Sequence, residues 1–244
     1  MELANNTVLI TGGATGIGFA LAERFLNAGS SVIICGRRES ILQEARQKHP
    51  QLHIRVCDVG EASERIALFE WAVREFPQLN VLVNNAGIQR RTSLTVDNAS
   101  WEERRAEIAI NLEAPVHLTS LFVPHLLKQQ KAAVVNVSSG LAFTPAIFAT
   151  VYSATKAAIH SLSLSLRHEL ENTSVKVVEI VPPAVQTDLG GAGIHTFGVP
   201  LDEFADSVMQ RLEAGELEIG YGRSEAARKA SRQEIDEMVK QMNR

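Results

Sequence analysis

A tyrosine and a lysine, Tyr152 and Lys156, stand four residues apart in a stretch that predicts a helix. Side chains at this spacing project from the same face of a helix, so the two groups are expected to act together. A free tyrosine has a pKa of about 10 and is a poor base at neutral pH. A nearby ammonium group stabilises the phenolate and lowers that pKa, which suits the phenol for proton transfer. The same spacing is also common on amphipathic helices, where both residues are structural.

Two further polar residues are candidates to join this pair. Ser139 lies 13 positions before Tyr152, just beyond a predicted strand at residues 133–137. Folds of the α/β class bind ligands at the carboxyl ends of their strands, which is where this hydroxyl is expected. Asn111 lies inside a long predicted helix, where an asparagine on its own indicates only a local hydrogen bond.

A glycine-rich segment connects the first predicted strand to the first predicted helix, and it reads Thr11-Gly12-Gly13-Ala14-Thr15-Gly16-Ile17-Gly18. Glycines let the backbone approach a pyrophosphate, and a helix N-terminus offers free N–H groups and positive potential. The predicted contacts are Gly12, Thr15, Gly16, Ile17 and Gly18. The spacing is G-x-x-x-G-x-G rather than G-x-G-x-x-G, so a purely structural glycine turn is the alternative.

The end of the second predicted strand indicates which dinucleotide would bind. An acidic residue here binds the ribose hydroxyl of NAD, whereas arginine accommodates the 2′-phosphate of NADP. The sequence has Gly36-Arg37-Arg38, with glycine where the acid would stand and two guanidinium groups able to pair with phosphate. We therefore predict NADP(H). Asp58 and Val59, after the third strand, are expected to meet the adenine ring, with a helix N-cap as the other role for Asp58.

The order of elements predicts the α/β class. Apolar strand-like runs alternate with helix-length amphipathic segments along the whole chain, which indicates a Rossmann-type doubly wound parallel sheet of about seven strands with helices on both faces. The predicted strands are residues 7–11, 31–35, 52–59, 81–84, 133–137, 175–181 and 217–219. The predicted helices are residues 17–27, 39–48, 61–76, 100–127 with an interruption near Pro115, 152–171 and 202–214. We expect one domain over residues 1–244, with a helical tail at 222–244.

The composition excludes several classes of protein. Among 244 residues, 45% are hydrophobic and 21% are charged, as in an ordinary globular protein. A net charge of -4 argues against nucleic-acid or polybasic membrane binding. No apolar run approaches the ~20 residues of a membrane span, and no secretory signal is recognisable, so a cytoplasmic protein is expected. Cys35 and Cys57 are expected to be reduced, because a disulfide would require neighbouring strands and an oxidising compartment, and no residue pair has metal-ligand spacing.

Taken together, these motifs resemble those of the short-chain dehydrogenase/reductase family, in its shorter single-domain branch. The residues that carry the resemblance are the segment 11–18, Asn84-Asn85-Ala86-Gly87, Asn111, Val137-Ser138-Ser139, Tyr152-Ser153-Ala154-Thr155-Lys156, and Thr187 after Pro182. They cover residues 7 to about 187 in the family's order.

The resemblance implies a catalytic role for each polar residue above. Tyr152 would give a proton to a carbonyl oxygen or take one from an alcohol, and Ser139 would hydrogen-bond the same oxygen. Lys156 would lower the pKa of Tyr152 and bind the nicotinamide ribose. Asn111 would hold a water in a proton relay to Lys156.

The resemblance also implies further cofactor contacts. They are Asn85, Ala86, Gly87, Val185 and Thr187, beside Tyr152 and Lys156 themselves, while Asn84 is expected to brace strands. The sequence departs from the family at Pro182-Pro183, where Pro-Gly is usual. A second proline stiffens this loop, which puts the placement of Thr187 in question.

The substrate side of the site is less defined. Residues 188–200 combine glycines with Ile194, His195 and Phe197, which suits a lid over the substrate, although a disordered loop fits as well. Leu141, Phe143 and Val185 predict an apolar wall and a neutral or mildly hydrophobic substrate. His195 is either a substrate contact or simply exposed. Arg90 and Arg91 either attract an anionic substrate or are solvated.

Three function classes compete at this stage. The leading one is an oxidoreductase that transfers a hydride between NADP(H) and a carbonyl or secondary alcohol. The others are a non-redox epimerase or dehydratase of the same fold, and a non-catalytic NADP(H)-sensing protein, which would have no need of Ser139, Tyr152 and Lys156 together. The resemblance further implies a homodimer or homotetramer, to which the apolar stripe Ile235, Met238, Val239 and Met242 would add a contact unless it packs on its own domain.

Overall fold

Seven short apolar segments form one parallel sheet in the structure, a computed structural model that describes residues 1–96 and 98–244. The strands are β1 Thr7–Thr11, β2 Ser31–Gly36, β3 His53–Val56, β4 Val81–Asn84, β5 Ala132–Val137, β6 Val175–Val181 and β7 Glu218–Gly220. Their order across the sheet is β3-β2-β1-β4-β5-β6-β7. Continuous apolar runs such as Val8-Leu9-Ile10 fit this arrangement, because a parallel sheet is covered on both faces.

Helices cover both faces of the sheet. The α-helices are α1 Gly16–Asn27, α2 Glu39–Lys48, α3 Ala62–Glu75, α4 Trp101–Ile108, α5 Ala114–Leu126, α6 Thr150–Glu169, α7 Leu201–Glu213, α8 Arg223–Lys229 and α9 Arg232–Met242. Alternate residues of β1 enter different apolar layers: Val8 and Ile10 pack with α1, α2 and α7, whereas Leu9 packs with α3, α5 and α6. The predicted doubly wound architecture is confirmed.

The strand order reverses between β1 and β4, and this reversal determines where a ligand can bind. The chain winds outward from β1 through β2 and β3, then returns to the other side of β1 at β4. The loops after β1 and β4 therefore separate and leave a crevice at the carboxyl end of the sheet, which is where open α/β sheets bind their ligands. The glycine-rich segment and the Asn84 motif border this crevice.

The predicted interruption of the long helix is a π-helical turn at Ala109–Glu113, between α4 and α5. Pro115 lies in the first turn of α5 and has no N–H. The carbonyl four residues earlier, that of Asn111, therefore lacks its usual α-helical donor. The proline thus explains the irregular turn just upstream of it, and a π turn of this kind frequently marks a functional site.

The third strand is shorter than the predicted segment 52–59. It ends at Val56, and the Asp58 carboxylate then accepts a hydrogen bond from the Gly60 N–H at 2.9 Å. This local turn competes with the strand ladder. Glu61 occupies the N-cap of α3, so the predicted capping role of Asp58 is wrong.

The two cysteines lie near each other at the ends of neighbouring strands, Cys35 within β2 and Cys57 directly after β3. Cys35 belongs to β2, and the Cys57 N–H donates to the Gly36 carbonyl at 3.0 Å. Both thiols are free and buried. The Cys35 thiol donates a hydrogen bond to the Cys57 sulfur, which raises the pKa of Cys35 and lowers that of Cys57.

The predicted helical tail consists of α8 and α9. Ser231 caps α9 through a capping box with Glu234. After α9, the Asn243 amide donates to the Pro145 carbonyl at 3.0 Å and accepts from the Ile147 N–H at 2.7 Å. The tail therefore reaches the segment that precedes α6. Within the described residues, no helix has the length and apolar character needed to cross a membrane.

Candidate active site

Three polar side chains meet where β5 and α6 approach each other. Ser139 follows β5, and its hydroxyl accepts the Leu141 N–H at 3.1 Å and lies close enough to Tyr152 to lower the pKa of the phenol. Tyr152 and Lys156 lie in the first two turns of α6, and both are buried. The Lys156 Nζ lies 5.6 Å from the centroid of the Tyr152 ring. The predicted serine, tyrosine and lysine therefore form one cluster.

Burial dominates the proton affinities in this cluster. It raises the pKa of Tyr152 to about 12. The Glu107 carboxylate adds to this rise, whereas the Ser139 hydroxyl lowers the pKa of the phenol. Burial also lowers the pKa of Lys156 to about 8, although the Glu179 carboxylate opposes that change. The expected lowering of the tyrosine pKa is not met here, because the Lys156 Nζ donates to the Val137 carbonyl at 2.7 Å rather than to the phenol.

The low pKa of Lys156 predicts a pH-dependent difference in stability. Between pH values of about 8 and 10.5, the unfolded chain keeps a proton on this amine that the folded chain has released. The free energy of unfolding therefore rises with pH in this window relative to a variant without the amine. We expect Lys156→Met to be most stable, relative to the wild type, near neutral pH. Its free energy of unfolding relative to the wild type should then fall by about 3 kcal/mol as the pH rises through the window.

Denaturant unfolding of both proteins across the window measures this difference. Lys128→Met, at an exposed lysine, is the control and is expected to follow the wild type at every pH. Parallel curves for wild type and Lys156→Met would show that Lys156 keeps an ordinary pKa in the folded chain.

Asn111 ties the π turn to the loop after β4. Its side-chain oxygen accepts the Ile88 N–H at 2.9 Å, and its amide donates to the Ile88 carbonyl at 2.8 Å and to the Thr155 hydroxyl at 3.3 Å. A Cβ added at Gly87 would lie 3.3 Å from the Asn111 oxygen and 3.6 Å from the Lys156 Nζ. The side chain thus has no free amide group for the water predicted from the sequence, and only its backbone carbonyl, opposite Pro115, is a candidate to hold one.

The glycine-rich segment has the shape of a phosphate cradle. Gly12 and Gly16 have positive φ angles of 63° and 53°, which side-chain-bearing residues rarely adopt. A Cβ added at Gly12 would lie 3.0 Å from the Ala86 Cα. Thr15, at the N-cap of α1, makes no side-chain cap hydrogen bond, and the first turn contains no acidic residue. The N-terminus of α1, which includes Ile17 and Gly18, is therefore available to an anion.

Asn85 braces this cradle from the loop after β4. Its amide donates to the Thr11 carbonyl at 2.9 Å and to the Gly12 carbonyl at 3.2 Å. The Thr11 hydroxyl in turn accepts the N–H groups of Asn85 and Ala86, each at 3.0 Å. Asn84 donates to the Asn136 side chain in β5 at 2.9 Å, so it links neighbouring strands as the sequence predicted.

These features coincide with what the comparisons find. The family model for short chain dehydrogenases matches residues 6–195. The chain belongs to the short-chain dehydrogenase family. It is 48% identical to the uncharacterized oxidoreductase DltE of Bacillus subtilis, over 100% of this chain and 98% of that protein.

Solved structures of other family members are similar over nearly the whole chain. A short-chain dehydrogenase from Sphingobium yanoikuyae in complex with NADPH is 25% identical, with a TM-score of 0.80 over 97% of this chain and 94% of that one. A Burkholderia phymatum short chain dehydrogenase/reductase in complex with NAD has a TM-score of 0.87 at 21% identity, over 98% of this chain and 96% of that one. The second likeness shows the fold alone.

In this short-chain dehydrogenase, the residues predicted to select the cofactor lie at the ends of β2 and β3. An Arg37 guanidinium nitrogen is 3.6 Å from an Asp58 carboxylate oxygen. Arg38, at the N-cap of α2, is exposed and makes no ion pair within the described residues. A Cβ added at Gly36 would meet nothing within 4 Å. The crevice therefore has open space and one uncommitted guanidinium at this end, while Val59 is buried beside Asp58.

Thr187 reaches the glycine turn despite the second proline. Its Cγ2 lies 3.4 Å from the position that a Cβ would take at Gly16, on the side from which the cradle is open. Val185 is buried and forms an isolated parallel bridge with Val199, so the two ends of the segment between them lie side by side. Pro183 therefore does not carry Thr187 away from the crevice.

Two residues that bear on the site escaped the sequence analysis. Thr11 joins the two loops of the crevice through its hydroxyl, and its polar position at the end of a buried strand was the available signal. Glu107 is fully buried one helical turn before Asn111, and its carboxylate accepts the Arg90 N–H at 2.9 Å. Burial raises its pKa, and an acid four residues from a candidate catalytic asparagine was a signal for it.

Proposed function

We propose that this short-chain dehydrogenase transfers a hydride between NADP(H) and a carbonyl or secondary alcohol, with Tyr152 as the general acid/base. The observation that carries the proposal is the convergence of Ser139, Tyr152 and Lys156 at the carboxyl edge of the sheet, where the Lys156 Nζ lies 5.6 Å from the Tyr152 ring and Ser139 lowers the pKa of the phenol. A bound nicotinamide would supply the hydride, so the protein has only to hold the substrate oxygen and move one proton.

The cofactor would lie across the crevice between β1 and β4. The turn at Gly12, Thr15, Gly16, Ile17 and Gly18 fits a pyrophosphate, because its backbone is open and α1 presents uncapped N–H groups. Around it, Asn85, Ala86 and Gly87 would line one wall, and Thr187 and Val185 would contribute from the loop after β6. Asp58 and Val59 would border the adenine.

The preference for NADP(H) follows from the end of β2. Arg37 and Arg38 would pair with the 2′-phosphate, and Gly36 leaves room for it without presenting a carboxylate. The Sphingobium yanoikuyae relative binds NADPH, which supports this choice. Because the Arg37 guanidinium already lies 3.6 Å from the Asp58 carboxylate, Arg38 would contribute at least as much as Arg37 to binding the phosphate.

Proton transfer would start from Tyr152 in its neutral form. Because burial holds the pKa of Tyr152 near 12, the phenol is protonated at neutral pH and ready to act as an acid towards a carbonyl oxygen. Ser139 would hold that oxygen. Lys156 would relay a proton to Tyr152 and would itself be resupplied through a water bound at the Asn111 carbonyl, which Pro115 leaves without its usual donor.

The setting of the enzyme completes the proposal. A cytoplasmic homodimer or homotetramer fits the family, and the exposed apolar residues Val116 on α5 and Leu164 on α6 support contact between subunits. Analytical ultracentrifugation measures this assembly directly.

A panel of aldehydes and ketones, followed by loss of NADPH absorbance, tests the function. We expect turnover with NADPH and weaker turnover with NADH at equal concentration. Net NADPH consumption also separates this activity from an epimerase, a dehydratase or a sensing protein. If no carbonyl consumed NADPH and no secondary alcohol reduced NADP+, the proposed function would be wrong.

A further inference from the structure

Arg91 is an arginine held in place without an acidic partner. It is exposed, and its guanidinium carbon lies 4.5 Å from the centroid of the Phe148 ring. In the part of the chain that the structure describes, no carboxylate pairs with it. Its neighbour Arg90 differs, because it forms an ion pair with Glu103 at 3.1 Å. Stacking on an aromatic ring orients a guanidinium and leaves its N–H groups directed outward.

His195 faces this arginine from the segment 188–200. Its Nδ1 is buried and has no hydrogen-bond partner among the described residues. Burial and the nearby Arg91 guanidinium lower the pKa of His195, against backbone hydrogen bonds at Thr187 and Leu189, which raise it. The segment is packed closely on the loop that carries Arg91, since a Cβ added at Gly190 would lie 3.0 Å from the Gln89 carbonyl oxygen. Two side chains able to donate hydrogen bonds therefore lie near each other on different loops, and neither pairs with a carboxylate among the described residues.

Other buried polar atoms of the same loop also lack partners. They are the Nε of Arg90 and the hydroxyl of Thr92, again among the described residues. Buried polar groups are nearly always hydrogen-bonded in folded proteins, so a cluster of unpartnered ones indicates a polar ligand or water that completes them. The Arg90 Nε can only donate, and the Thr92 hydroxyl and the His195 ring nitrogen can each donate as well, which is compatible with an anion.

We propose that Arg91 and His195 bind a carboxylate of the substrate, and that this contact closes the segment 188–200 over the site. Arginine and carboxylate form short, strong hydrogen bonds, and the same anion can accept one from the imidazole. The inference rests on the proposed function, since it identifies the substrate as an oxo acid or the corresponding hydroxy acid. The site is near the reacting group, because Phe148 precedes Tyr152 by four residues.

The experiment compares 3-oxobutanoate with its ethyl ester, two carbonyl compounds that differ in one negative charge. With NADPH saturating, we expect the acid to have at least about tenfold higher kcat/KM, as one charged hydrogen-bonded contact would give. Arg91→Gln and His195→Gln should each raise the KM for the acid by about tenfold, with kcat and the KM for the ester nearly unchanged. Arg105→Gln removes an equal charge from an exposed residue of α4 and should leave both KM values unchanged.

A binding measurement keeps the inference separate from the activity. Chymotrypsin is expected to cleave after Phe197, which is 77% exposed. In the presence of NADP+, malonate should slow this cleavage in the wild type and not in Arg91→Gln, whereas dimethyl malonate should slow it in neither.

The outcomes distinguish the inference from the function on which it rests. Equal kcat/KM for acid and ester, unchanged in Arg91→Gln, would overturn the carboxylate site and leave the reductase standing. If no carbonyl were reduced, the proposed function would fail, and the proteolysis would decide alone: protection by malonate that requires Arg91 supports the anion site, and lack of protection overturns it.

Discussion

Tyr152→Phe is expected to lower kcat for carbonyl reduction by about 10³-fold, within the range that general acid catalysis contributes. The substitution removes the only proton donor of the cluster that contacts Ser139, and keeps the ring that fills the space beside Lys156. Since the lost hydroxyl makes one hydrogen bond, stability should fall by only about 1 kcal/mol. Steady-state kinetics with the best carbonyl of the panel, together with the dissociation constant of NADPH, would measure both effects.

Tyr221→Phe is a matched control for this experiment, because the chain contains two tyrosines. Tyr221 packs against Phe204 of α7 in an edge-to-face contact. It should keep wild-type activity. A Tyr152→Phe enzyme with the wild-type kcat would show that the proton comes from another group, and Glu107 would then be the first to examine.

Gly36→Asp is expected to reverse the cofactor preference. A carboxylate at the end of β2 would repel the 2′-phosphate of NADPH and accept hydrogen bonds from the ribose hydroxyls of NADH. Since opposing like charges cost several kcal/mol, the dissociation constant of NADPH should rise on the order of 100-fold. The substitution should fold, because a Cβ at Gly36 meets no atom within 4 Å.

Gly36→Ala separates charge from shape, because it adds the same Cβ without a carboxylate and should retain the NADPH preference. Fluorescence titration of the wild type and both variants with each reduced cofactor gives the six dissociation constants needed. A Gly36→Asp protein that still bound NADPH more tightly than NADH would place the 2′-phosphate away from β2, and the roles of Arg37 and Arg38 would be lost with it.

The sequence predicted the sheet well because apolar runs and glycine turns act locally. The run Val8-Leu9-Ile10 fits a strand that is buried on both faces, and the structure confirms this interpretation. The end of β3 was placed too late, because the apolar character of Val59 continues the strand pattern. The hydrogen bond from the Gly60 N–H to Asp58 stops the ladder, and a pattern of hydrophobicity does not contain that bond.

The sequence could predict which residues form the site, but not the contacts that they make. Motif spacing brought Ser139, Tyr152 and Lys156 to one edge of the sheet. It could not show that burial outweighs Lys156 in setting the pKa of Tyr152, because burial depends on the packing of α6 against the rest of the chain. Nor could it show that Arg91 lies close enough to lower the pKa of His195, because only the tertiary fold brings those two loops near each other.

The two buried thiols make the proposed closure of the segment 188–200 open to direct observation. Cys35 is fully buried and Cys57 is 2% exposed, and the chain contains no third cysteine. A maleimide dye is far larger than a water molecule, and water reaches almost none of either side chain, so the native protein should remain unlabelled. A cysteine introduced at Phe197 would then carry a single fluorophore, whose emission would follow the segment as cofactor and substrate bind.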